Sequence, residues 1–140
     1  MAPGVGEGDR IRVLLADDDG LFLESLRPLV EGQGELTVVA TAENGLDAIE
    51  RVEELRPDAL VIDLHMPLID GVTTLAHLRR DNPTLCLIAL TGDHDPELHK
   101  AAEEAGADAV LLKDELLDTL LKRLSEVRQS PSMPAPPAST

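Results

Sequence analysis

Short runs of Val, Ile, Leu and Ala recur along this chain, and four of them stop at a polar residue. Val13-Leu14-Leu15-Ala16 leads into Asp17-Asp18-Asp19, and Ala59-Leu60-Val61-Ile62 into Asp63. Leu87-Ile88-Ala89-Leu90 leads into Thr91, and Ala109-Val110-Leu111-Leu112 into Lys113. Apolar runs of this length, bounded by turn residues, predict strands buried on both faces. The expected strands are 11–16, 36–41, 59–63, 85–90 and 109–112. Segments with helical spacing lie between them. Residues 21–30 place Leu23, Leu26 and Val30 near one face, and Pro28 is expected to kink that helix or limit its start. Asn44-Gly45 opens a helix to Leu55 with Leu46, Ile49, Val52 and Leu55 as its apolar positions. A third helix is expected from Val72 to about Arg80. Asp95-Pro96-Glu97 supplies an N-cap, a first-turn proline and a first-turn acid for a fourth, which should end at Gly106. Leu116, Leu117, Leu120, Leu121, Leu124 and Val127 mark one face of a last helix.

Strands alternating with helices argue for βαβ units and a parallel sheet covered on both faces. The crevice at the C-terminal ends of such strands is where ligands bind. Carboxylates, a hydroxyl and an ammonium are therefore expected along one edge of the sheet.

The bulk numbers narrow the field. A chain of 140 residues suits one domain with a real core. Phe22 is the one aromatic residue, so the core must be packed from aliphatics, and stacking platforms for single-stranded nucleic acid are lacking. A formal net charge of −15 disfavours direct contact with nucleic acid or anionic membranes. Cys86 is the lone cysteine and sits in an apolar run, which predicts a buried, inert thiol and fits a reducing compartment. No apolar stretch nears the roughly 20 residues that span a bilayer. Residues 1–8 lack the basic and apolar regions of a signal peptide. The expectation is a soluble cytoplasmic protein with a disordered segment over 1–10, one domain over 11–128, and a Pro/Ser-rich tail or linker over 129–140.

If the first and third strands are neighbours, Asp17, Asp18 and Asp63 crowd together. Two unit charges about 4 Å apart repel by roughly 4 kcal/mol at an effective dielectric near 20. A cation or a proton must relieve that. Mg²⁺ suits hard carboxylate ligands, whereas the spaced loop of a typical Ca²⁺ site is missing. Thr91 and Lys113 suit a phosphate, one through a hydrogen bond and the other through charge. Taken singly, each residue has a plainer explanation: three aspartates after a strand cap the next helix, and a lone lysine is solvated. Together they fit a phosphoryl-transfer site better. His77, His94 and His99 read as surface residues.

With these residues placed, the chain resembles the receiver domain of two-component response regulators. The segments that carry the likeness are Val-Leu-Leu-Ala-Asp-Asp-Asp at 13–19, Ala-Glu-Asn-Gly-Leu-Asp-Ala-Ile at 42–49, Pro-Asp-Ala-Leu-Val-Ile-Asp-Leu-His-Met-Pro-Leu-Ile-Asp-Gly at 57–71, Ile-Ala-Leu-Thr-Gly at 88–92 and Gly-Ala-Asp-Ala-Val-Leu-Leu-Lys-Asp at 106–114. The resemblance implies an α/β, flavodoxin-like (βα)5 three-layer sandwich with parallel strand order 2-1-3-4-5. It makes Asp63 the phosphoacceptor, fed by a sensor histidine kinase or phosphotransfer protein. It assigns Mg²⁺ to Asp17, Asp18, Asp63 and the backbone carbonyl of His65. It gives the phosphoryl oxygens to Thr91 and Lys113. His65, Gly92 and Asp93 would tune how long the acyl phosphate survives. The output face falls on the last two strands and helices, where the resemblance allows a homodimer.

Two positions depart from the family pattern. Val110 stands where an aromatic usually rotates inward as the switch. Asp114 stands where many receivers have proline after a cis bond, and trans is the default before Asp. Leu-Leu-Lys-Asp also looks like receivers that carry a helix-turn-helix DNA-binding domain, which makes the chain a candidate N-terminal part of a transcriptional regulator. Two other readings compete. One is a Mg²⁺-dependent phosphatase of the haloacid dehalogenase type, opposed by His65 where that family has a second Asp. The other is a degenerate receiver that only binds a partner. In either receiver reading the chain is not an enzyme beyond its own phosphorylation and dephosphorylation.

Overall fold

The computed structural model describes residues 10–32, 34–66, 69–92 and 94–113. The last helix expected over 116–127, the tail, Asp93 and Asp114 lie outside the described residues. Five strands run β1 (Ile11–Ala16), β2 (Leu36–Ala42), β3 (Ala59–Asp63), β4 (Cys86–Thr91) and β5 (Ala109–Leu112). Among the described residues, four helices alternate with them: α1 (Gly20–Glu31), α2 (Gly45–Leu55), α3 (Gly71–Asp81) and α4 (Pro96–Ala105). All pairings are parallel and the order is β2-β1-β3-β4-β5. β1 and β3 are therefore adjacent, with Ala16 opposite Ile62. The polar residues that follow them emerge side by side.

Alternation along the strands divides the core in two. Val13, Leu15, Val61, Ile88 and Leu90 face α1, where Leu23, Leu26 and Val30 meet them as the helical spacing predicts. Leu14, Ala16, Leu60, Ile62, Leu87 and Ala89 face the other way, toward α2, α3 and α4. The layers are helix, sheet and helix.

Four sequence expectations need correction. α1 starts at Gly20, so Pro28 lies within the helix as its position implied but does not limit its start. Pro28 is exposed in the last turn, and the carbonyl it leaves unpaired belongs to the exposed Glu24, which water can serve. α2 buries Gly45, Ala48 and Val52; of its expected apolar positions Val52 is buried, Ile49 and Leu55 are half-buried, and Leu46 is 49% exposed. A Cβ at Gly45 would collide with Thr74 of α3, so the start of the α2 seam admits no side chain and Leu46 is turned outward. Cys86 is only half-buried, because it opens β4 instead of lying within it. His77 on α3 and His99 on α4 are half-buried, while His94 is exposed.

Side chains set the ends of the helices. Asp19, Asn44, Asp70 and Asp95 each accept a backbone N–H from the first turn that follows. Gly106 ends α4 at φ 121°, where a side chain would be strained and would strike Arg79.

Candidate functional site: an acidic crevice

The C-terminal end of β1 is tied down before its acids begin. The Asp17 N–H donates to the Ala42 carbonyl at 2.9 Å, which holds the acidic run against β2. Its three aspartates then take different tasks. Asp17 is buried, at 1% exposure. Its Oδ1 accepts the Asp19 N–H at 2.9 Å. Asp18 is exposed and faces the crevice with Asp17 and Asp63. Asp19 points back into α1, where its Oδ1 accepts the N–H groups of Leu21 and Phe22. The capping explanation thus holds for one of the three and fails for the other two.

Asp63 closes β3 and is buried, at 4% exposure. Its Oδ1 accepts the His65 N–H at 3.2 Å. Oxygens from Asp17, Asp18 and Asp63 all lie within 4.8 Å of one another. Lys113, just past β5, reaches into this group with its Nζ 2.6 Å from Asp17 Oδ2 and 3.4 Å from Asp63 Oδ2. Thr91 is fully buried as the last residue of β4, opposite Leu112 of β5.

The electrostatics show an unbalanced site. Among the described residues, three carboxylates meet one ammonium. Burial pushes the Asp63 carboxyl above its ordinary value, and the charge of Asp17 adds to the rise. The His65 N–H and the Lys113 ammonium pull the other way and do not cancel it. Burial alone would lower Lys113, but Asp17 and Asp63 outweigh it and hold the ammonium above its usual range. Buried Asp17 Oδ2 makes no well-formed hydrogen bond; its contact is the ion pair with Lys113. Such an oxygen set fits a hard divalent cation, which adds charge where the lysine alone falls short.

Of the residues named from the sequence, Asp17, Asp18, Asp63 and Lys113 come together here. His65 is exposed beside them, joined through its backbone. Gly92 is exposed after β4, and an added Cβ there would meet nothing within 4 Å. Val110 is half-buried and packs on the α2–α3–α4 side of the sheet. Sequence reasoning missed Phe22. Its ring centroid lies 4.4 Å from Lys113 Nζ. Its standing as the only aromatic in the chain, five residues after Asp17, was the available signal.

Comparison with known proteins agrees with this geometry. Residues 13–125 match the family model for the response regulator receiver domain. The chain is 36% identical over 130 residues to the transcriptional regulatory protein LnrK of Bacillus subtilis (strain 168), covering 93% of this chain and 59% of that protein. It is 34% identical over 119 residues to a protein-glutamate methylesterase/protein-glutamine glutaminase of Carboxydothermus hydrogenoformans, covering 84% of this chain and 34% of that one. The chain thus spans under two thirds of either relative. Among solved structures, the isolated REC domain of RcsB from Salmonella enterica serovar Typhimurium superposes with TM-score 0.80 at 26% identity, covering 91% of this chain and 94% of that one. The response regulator domain of Thermotoga maritima CheB gives 0.79 at 25%, covering 86% and 97%. Strand order, acidic crevice and matched sequence lead to one assignment: the chain belongs to the response regulator receiver domain family.

Proposed function

We propose that this receiver, spanning 11–128, accepts a phosphoryl group on Asp63 from a phosphohistidine of a sensor kinase or phosphotransfer protein in the cytoplasm. The observation that carries the reading is the Lys113 ammonium set between Asp17 and Asp63, with Asp18 beside them. An Asp63 carboxylate oxygen forms the new O–P bond as the P–N bond of the donor breaks. The electron pair returns to the imidazole nitrogen. Lys113 follows the charge that develops on the phosphoryl oxygens, and Thr91 donates its hydroxyl to one of them. Asp17, Asp18, Asp63 and the His65 carbonyl would hold Mg²⁺. That ion supplies charge neutralisation and orients the phosphoryl group. His65, Gly92 and Asp93 set how water reaches the acyl phosphate. The REC structure of RcsB was obtained with the phosphomimetic BeF3⁻, which supports phosphoryl chemistry in a relative of the same fold. The name of LnrK supports a place for this chain within a longer transcriptional regulator.

The test is direct. Incubation with Mg²⁺ and acetyl phosphate should add one phosphoryl mass to the intact protein. Asp63→Asn should add none. Mg²⁺-dependent labelling that persists in Asp63→Asn would overturn the assignment.

A further inference from the structure

The only phenyl ring in the chain lies against the only ammonium in the described crevice. Phe22 sits in the first turn of α1, half-buried against the core on that side of the sheet. Its position is set by the same acids it serves. The Asp19 N–H donates to Asp17 Oδ1, Asp19 Oδ1 accepts the Phe22 N–H, and Lys113 joins the Phe22 ring to Asp17 Oδ2. These four residues form a closed circuit in which the ring face is one of the lysine's supports.

We infer that Phe22 is a positioning residue: its ring face holds the Lys113 ammonium over Asp63 when a divalent cation takes Asp17. The inference rests on the proposed phosphoacceptor reading. Asp17 Oδ2 cannot be close to both an ammonium and a divalent cation without strong repulsion between the two. Released from Asp17, the ammonium keeps only the longer 3.4 Å contact to Asp63 Oδ2, on a side chain already 24% exposed, and the ring is the hold that does not compete with the cation for a carboxylate. A π-face attracts a cation without fixing its direction. It therefore lets Nζ shift from Asp17 toward phosphoryl oxygens while remaining in the crevice. An aliphatic residue of similar bulk would fill the same space without that attraction.

Because Phe occurs once in the chain, ring electronics can be altered at this position alone. Mono-, di- and trifluorinated phenylalanine drain the ring face step by step at nearly constant size. With acetyl phosphate at saturating Mg²⁺, the initial rate of phosphoryl gain should fall steadily along that series. Phe22→Leu should be slower by roughly threefold to thirtyfold, the kinetic equivalent of losing one cation–π contact. A second readout needs neither metal nor turnover. In metal-free protein carrying monofluorinated Phe22, the single ¹⁹F resonance should move on Lys113→Met. A double-mutant cycle of Phe22→Leu and Lys113→Met in urea unfolding should be non-additive.

A flat rate along the fluorinated series would overturn the inference, even if Phe22→Leu is slow, because that pattern is packing alone. An unmoved ¹⁹F resonance with an additive cycle would also overturn it. Failure of the wild type to gain phosphoryl mass would instead sink the phosphoacceptor reading, and the metal-free measurements would still report on the contact.

Discussion

The two ends of the sheet treat charge in opposite ways. At the N-terminal end of β4 and β5, Arg79 of α3 spends its guanidinium completely. It donates to the carbonyls of Asn82, Pro83, Leu85 and Gly106 and to Asp108 Oδ2, at 2.7–3.3 Å. The same Asp108 oxygen accepts the Leu87 N–H at 2.9 Å. One side chain thereby ties the end of α3, the start of β4, the end of α4 and the approach to β5. At the C-terminal end, among the described residues, three carboxylates crowd one ammonium and stay short of positive charge. A closed network holds a fold together. An unbalanced one leaves interaction energy for a ligand.

Breaking each end should therefore have different consequences. Arg79→Ala should cost the most stability, about 2–4 kcal/mol by urea unfolding, because several carbonyls lose their donor at once. Arg79→Lys should recover little, since a single ammonium cannot match the planar fork. Neither change should abolish Mg²⁺ binding. A loss of the same size from Asp18→Asn would refute the contrast.

Next in size is the response of the acidic end to metal. Mg²⁺ at about 100 times its Kd should stabilise the wild type by roughly 2.7 kcal/mol, and EDTA should reverse this. Asp18→Asn should shrink the gain, while Arg79→Ala should keep it. Equal shifts in all three proteins would place the ion elsewhere.

The pH dependence should be smaller and has a definite sign. Asp63 titrates above 3.8 in the folded protein. Its contribution to stability is present below 3.8 and is lost as pH rises through the folded value, where the buried carboxylate becomes charged. Metal-free Asp63→Asn should therefore match the wild type in acid and exceed it increasingly toward neutral pH. A gap that is constant with pH would contradict the strained-charge account of the crevice.

The smallest effect belongs to the open edge of the sheet. Glu31 Oε2 accepts the Val38 N–H at 3.3 Å, and Arg27 leans across toward the Val38 carbonyl at 3.5 Å. Both side chains are well exposed, so Glu31→Gln should cost under about 1 kcal/mol in chemical unfolding. A larger loss would show that β2 depends on this clasp.

Some of this was legible before any coordinates. β1, β3 and β5 fall within the predicted bounds, because aliphatic runs flanked by turn residues leave little alternative. The α1 face of Leu23, Leu26 and Val30 follows from spacing alone. Spacing also placed Asp17, Asp63 and Lys113 at the ends of their strands, but their convergence needed the strand order, which the resemblance implied and the fold shows. β2 was harder. Leu36 and Val38 face α1, yet Ala40 and Ala42 belong to the opposite core. The pairing slips between Val13 and Leu14, so Val39 becomes an extra residue and reverses the alternation. No count of every second residue could have revealed that. Nor could it reveal Arg79, whose acceptors are mostly backbone carbonyls and carry no mark in the residue string.

The sequence by itself determined the alternating architecture and the identity of the groups at the strand ends, because hydrophobic periodicity and strand termination are local properties. Tertiary structure decided which aspartate became a cap and which stayed in the crevice, which face of α2 was buried, and where the lone ring came to rest. Those outcomes depend on distances between segments far apart in the chain. Only packing sets such distances.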